Sequence, residues 1–105
     1  MTRITVERRA AGVWRIAAAG HASGAPEACA GVSALLYALA GWLANAPAGV
    51  KALRVALAPG EAELVFSGDA AADAAGELAA IGLAQIASAA PAAVSADIKE
   101  KEEPC

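Results

Sequence analysis

Apolar and polar residues alternate from Thr2 to Arg8, with Ile4 and Val6 on one face, which predicts a short, half-buried strand. Arg9-Ala10-Ala11-Gly12 reads as a turn. Val13 to Ala19 resumes the alternation, with Trp14 and Ile16 on one face and Val13 and Arg15 on the other, so the two strands are expected to form a hairpin. The period then changes. Cys29, Val32, Leu36, Leu39 and Leu43 recur three and four apart and mark one stripe of a helix running from Pro26 to about Ala46. Pro26 suits the first turn, where a missing N–H costs nothing, and the helix dipole favours Glu27 beside it. Asn45-Ala46-Pro47-Ala48-Gly49 ends the helix.

Two more strands follow, Val50 to Leu57 and Glu61 to Phe66, joined by the turn Ala58-Pro59-Gly60. Ser67-Gly68-Asp69 then supplies a cap, with Asp69 or Ser67 as the acceptor. A second helix is expected from Ala70 to Ala89. Leu78, Ile81, Gln85 and Ile86 mark its inner side, and Gly76 and Gly82 weaken it but permit close approach to a neighbour. Pro91 stops it, and Ala92 to Ile98 can form a fifth strand. The order is β-β-α-β-β-α-β. Hairpins dominate it, so the expected fold is a two-layer α/β domain of the α+β type: a mostly antiparallel sheet with two helices on one face. Residues 1–98 read as one domain. Residues 99–105 read as a charged tail that frays.

Composition narrows the function classes. The 105 residues carry a net charge of −3, which argues against binding nucleic acid by phosphate neutralisation. Hydrophobic residues make up 58% and charged residues 18%, so disorder throughout is excluded. Two cysteines, Cys29 and Cys105, are too few for a disulfide framework. Glu7, Arg8 and Arg9 stand where a secretory signal would need an apolar region, so the reducing cytoplasm is the expected location. No charge occurs from Ala28 to Val50, a stretch long enough to span a bilayer. Its Gly, Ser, Asn and Pro residues and the strands on either side favour a helix buried against a sheet, and no membrane association is expected.

One histidine and one cysteine outside the tail remain as candidate chemistry. His21 follows the second strand within Gly20-His21-Ala22-Ser23-Gly24-Ala25, and Cys29 lies near the first turn of the helix. Partial positive charge at a helix start favours a thiolate, a nearby imidazole can accept and return its proton, and backbone N–H groups there can stabilise an oxyanion. The plainer alternative is a small buried hydrophobe and a satisfied loop residue. One His, one helical Cys and Glu27 make a poor metal set, and no CxxC, Walker or Rossmann motif is present, so no metal or cofactor is expected. Trp14, Tyr37, Trp42 and Phe66 read as core or interface aromatics, with a pocket role open for Tyr37, two turns beyond Cys29.

The triplet Gly20-His21-Ala22, a short loop, and Cys29-Ala30-Gly31-Val32-Ser33-Ala34-Leu35 at the head of an apolar helix resemble the Prp family of cysteine proteases. These are bacterial ribosomal-processing enzymes with phage-encoded relatives. The motif match covers about Gly20 to Leu35, and the expected element order matches the family's domain. The resemblance implies a cysteine endopeptidase in which Cys29 is the nucleophile and His21 the general base. It also implies a supporting Ser33 one turn after the cysteine, and a substrate-binding loop containing Gly20, Ala22, Ser23, Gly24 and Glu27. It implies a peptide or protein substrate, either the N-terminal extension of a ribosomal protein or a phage virion protein, and a homodimer. The loop between His21 and Cys29 is shorter here than in the family, with Glu27 the acidic residue ahead of the cysteine. That difference sets the rival expectation: a noncatalytic, dimeric binding module that keeps the fold. Glu27, Ser33 and a backbone carbonyl are each open as the group that orients His21.

Overall fold

The two alternating segments at the N-terminus form β1 (Thr2–Ala10) and β2 (Val13–Ala19), paired antiparallel from Arg3↔Ala19 to Ala10↔Val13. The computed structural model describes residues 1–21 and 24–100. A register shift between Arg8 and Ala10 carries β1 two residues further than the alternation predicts, so the turn is reduced to Ala11-Gly12. Gly12 has φ +74°, and a side chain there would run into the Gly68 carbonyl. The charge-free segment becomes α1 (Pro26–Ala44), with Pro26 in its first turn as expected. Next come β3 (Val50–Ala58), β4 (Glu61–Gly68), α2 (Ala70–Ala89) and β5 (Val94–Glu100).

The five strands form one sheet in the order β3-β4-β2-β1-β5. Three pairings are antiparallel, and β5 runs parallel to β1 from Thr2↔Val94 to Arg8↔Glu100. The fifth strand starts later than Ala92 because residues 91–93 form a turn, closed by the Ala93 and Val94 N–H groups on the Ala90 carbonyl. Consequently Lys99 and Glu100, expected in the tail, are the end of β5. Residues 101–105, including Cys105, lie outside the described residues.

Period two explains the core. Ile4 and Val6, Trp14, Ile16 and Ala18, and Ala62, Leu64 and Phe66 point to one face and are buried there. Val32, Leu36, Leu39, Ala40 and Leu43 of α1 close over that face. By length and composition α1 could cross a membrane; here this stripe is packed against the sheet core. On the opposite face, Glu7, Arg15, Glu63 and Arg54 make a row of alternating charges across four strands.

The inner side of α2 differs from the sequence expectation. Leu78 is 71% exposed and Ile81 57% exposed, Gln85 also faces out, and only Ile86 of the expected set packs on the core. The buried stripe is Ala72, Gly76, Ala79, Ala80 and Leu83. The reason lies on the sheet. Trp14 rises against Gly76, where a β-carbon would stand only 2.7 Å from Cε3 and closer still to Cδ2 and Cε2. With Trp14 and Phe66 filling the layer, α2 presents small residues and comes close, while its large apolar residues turn outward. Asp73, one turn before, fixes the rotation. Its carboxylate accepts from Trp14 Nε1–H (2.9 Å), the Gly12 N–H (3.0 Å) and Arg8 (3.1 Å). The helix is capped by Asp69, whose Oδ1 accepts from the Ala71 N–H at 3.0 Å; Ser67 plays no part in the cap.

Candidate active site

The topology puts the end of β2 beside the start of β4, because β4 lies between β3 and β2 and Ala19 pairs with Glu61. Gly20 is therefore held from two sides. Its N–H donates to the Gly60 carbonyl (2.8 Å), and its own carbonyl accepts from Thr2 Oγ1 (3.3 Å). Its φ of +89° and the Met1 carbonyl facing its Cα leave room for glycine alone. His21 follows immediately, exposed, with its ring lying over Gly60 of the β3–β4 turn.

Cys29 is the fourth residue of α1 and half-buried. Ala25 in the cap position has no side-chain oxygen to offer, and its carbonyl accepts from the Cys29 N–H at 3.0 Å. Pro26 has no N–H. The Glu27 and Ala28 N–H groups thus have no acceptor within the helix, as at any helix start, and lie at the positive end of the dipole.

His21 and Cys29 line the same cavity, of about 340 Å³. Its walls come from α1 (Val32, Ser33, Leu36), from the sheet (Thr2, Ala18) and from the β3–β4 turn. Gly20 and Ser33 are in this lining as expected, and so is Tyr37, 66% exposed at its mouth. Glu27 is exposed in the first turn and does not line the cavity; Gly24, with φ +78°, stands in open space. Ala22 and Ser23 lie outside the described residues. Among the described residues no three His, Cys, Asp or Glu side chains converge in a way that would hold a metal ion.

The β3–β4 turn, Leu57 to Glu61, is the part of the wall that sequence reasoning did not place. Ala58-Pro59-Gly60 announced a turn, but its contribution depends on which strand β4 pairs with, and hydrophobic periodicity carries no such information. Chemically, the cavity offers a thiol and an imidazole at the edge of an apolar recess, beside a helix start. Those are the components of acyl transfer through a thioester.

No family model matches the chain, and no curated protein matches it. Solved structures do. The ribosomal processing protease Prp of S. aureus, in complex with a covalently linked product peptide, superposes with a TM-score of 0.79 at 15% identity, covering 94% of this chain and 100% of that one. The chain has a Prp-like fold. The same protease in complex with a substrate peptide gives 0.74 at 17% identity, over 94% and 100% of the two chains. SMU.848 of Streptococcus mutans gives 0.70 at 23% identity, over 96% of both. At these identities the likeness shows the fold alone.

Proposed function

We propose that this chain is a Prp-like cysteine endopeptidase. Cys29 Sγ attacks a peptide carbonyl carbon while His21 takes the thiol proton. The tetrahedral intermediate collapses as His21 returns that proton to the leaving amine, and an acyl-thioester remains on Cys29. Water, deprotonated by His21, attacks the thioester; the carboxylic product leaves and Cys29 recovers its proton. The substrate is an extended protein segment: the N-terminal extension of a ribosomal protein, or a segment of a phage virion protein. The enzyme acts in the cytoplasm as a homodimer. The observation that supports this reading most is that the only histidine of the chain and Cys29, carried by different elements, border one cavity. The fold shared with a protease solved with substrate and product peptides adds weight.

An N-terminally extended ribosomal protein incubated with the wild type is expected to lose its extension by mass spectrometry. Cys29→Ala and Cys29→Ser should abolish cleavage while leaving the circular dichroism spectrum and melting curve unchanged. Equal cleavage by Cys29→Ala refutes the assignment. Iodoacetamide labelling, mapped by mass, discriminates the noncatalytic binding module. A nucleophile served by a general base reacts faster at Cys29 than at Cys105, and His21→Ala removes that advantage, an effect of about 100-fold. Slow, equal labelling of both cysteines favours the binding module.

A further inference from the structure

We infer that Gly60, at the β3–β4 turn, is the positioning residue for His21: its missing side chain is the seat in which the imidazole rests. The inference builds on the proposed roles of His21 and Cys29. A β-carbon at Gly60 would lie 2.7 Å from His21 Nε2, 3.2 Å from Cε1 and 3.3 Å from Cδ2. The ring therefore meets the turn along its Nε2 edge, at a separation that only a hydrogen on Cα allows. The same residue's carbonyl accepts from the Gly20 N–H at 2.8 Å, so one peptide unit locates both the backbone that carries His21 and the ring itself. Thr2 holds Gly20 from the other side. His21 is exposed and has no protein hydrogen-bond partner among the described contacts that would orient it. Packing on Gly60 limits its rotamers.

Gly60 also has φ +72°, and a turn alone could ask for glycine there. Asparagine separates the two demands, because it tolerates the left-handed region better than other L residues yet carries a β-carbon. If the backbone angle is the whole reason for glycine, Gly60→Asn leaves His21 where it was. If Gly60 is the seat, the ring is displaced although the turn persists. A displacement of about 1 Å at a proton-transfer group is costly, on the order of 100-fold in rate.

Two measurements test this. The chain has one histidine, so its imidazole proton resonances are assigned without ambiguity. In the wild-type protein a nuclear Overhauser effect is expected between the ring Cε1–H of His21 and the α-protons of Gly60; its absence overturns the inference, whatever the enzyme does. In Gly60→Asn, the iodoacetamide rate at Cys29 should fall by about tenfold or more and its pH profile should move toward that of His21→Ala. Adding Gly60→Asn to His21→Ala should then change nothing further. A Gly60→Asn protein with wild-type rate and pH profile overturns the positioning role even if the Overhauser effect is present. Should His21→Ala itself leave Cys29 labelling untouched, the protease reading fails, and the Overhauser effect still reports on the seat.

Discussion

Substituting Gly76 by alanine sets two opposed effects against each other in the middle of α2. Removing a glycine from a helix interior is worth about 1 kcal/mol in favour of folding. Against this, the new methyl would lie 2.7 Å from Trp14 Cε3, with Cδ2 and Cε2 nearer. Carbon atoms in ordinary contact sit about 3.5–4.0 Å apart, so helix and ring must separate by about 1 Å or more. Neither partner is free to do so. Trp14 is buried, its Nε1–H is bonded to Asp73 one turn back on the same helix, and the Arg8 guanidinium lies 5.8 Å from its ring centroid. Lifting α2 away from the ring stretches that bond and opens the Leu83 contacts. Overpacking of this kind costs about 3 kcal/mol at the upper end of its usual range, leaving a net destabilisation of about 2 kcal/mol. For a domain of this size that lowers Tm by about 10 °C. Urea titration followed by tryptophan fluorescence and far-ultraviolet circular dichroism gives the midpoint, provided the two probes coincide. Three other helical glycines calibrate the result. A β-carbon at Gly41 meets nothing within 4 Å, so Gly41→Ala should gain up to about 1 kcal/mol. At Gly82 it meets only the end of Leu35 (2.8 Å) and at Gly31 the end of Ile86 (3.1 Å), flexible tips that can turn aside, so both should be close to neutral. If Gly76→Ala is as stable as Gly41→Ala, the close packing of α2 on Trp14 is wrong.

Removing the Asp73 carboxylate by Asp73→Ala leaves Trp14 Nε1–H and the Gly12 N–H without an acceptor and should cost about 1–3 kcal/mol. The Trp14 hydrogen bond, with those from Gly12 and Arg8, holds this carboxyl below the usual aspartate range, against a smaller opposing effect of burial. Its folded-state value being depressed, the stability it contributes is complete above the unfolded value of about 3.9 and is lost as pH falls through the folded one. Urea midpoints of wild type and Asp73→Ala should therefore differ by a constant amount at neutral pH and converge in acid; a gap that stays constant into acid contradicts the assignment. Leu83→Ala should cost about 2–5 kcal/mol, whereas Leu78→Ala should stay within about 0.5 kcal/mol, and the opposite ranking would return α2 to the rotation its apolar residues suggest.

The strands and helices could be read from the chain because their periods are local. Alternation through Ile4, Val6, Trp14 and Ile16 and the three-and-four spacing from Val32 to Leu43 each demand one element, and the structure contains those elements within a few residues of the expected ends. What could not be read depends on what an element faces. The rotation of α2 is an example: two helical stripes compete, one of Leu78, Ile81 and Gln85 and one of Ala72, Gly76, Ala79 and Ala80. Transfer energies favour burying the larger side chains. The outcome is decided by the volume of Trp14 across the interface, a property of the partner. The cavity divides the same way. His21 and Cys29 stand out in the sequence as the one histidine and the one cysteine outside the tail, and Ser33 follows from the resemblance, while Gly60 and Glu61 join them only because β4 inserts between β3 and β2.

That division bears on how a short loop can serve the proposed chemistry. His21 is located by Gly20, which is tied to Gly60 and Thr2, and Cys29 by α1, whose Val32-to-Leu43 stripe is bound into the core. These two attachments border one cavity. Cys29 is carried by α1 and His21 by the end of β2, so the packing of α1 on the sheet bears on whether thiol and imidazole share a site. Weakening the attachment of α1 should therefore damage the chemistry more than altering the exposed residue two positions ahead of Cys29. A Leu36→Ala protein, with a cavity opened under α1 beside the site, should lose Cys29 labelling rate together with about 2–5 kcal/mol of stability. Substitution of the exposed Glu27 by glutamine should change stability by no more than about 0.5 kcal/mol. Labelling rates measured on both proteins below their melting temperatures decide the point: a larger loss in Glu27→Gln than in Leu36→Ala would place control at the exposed start of α1 and refute the argument from the framework.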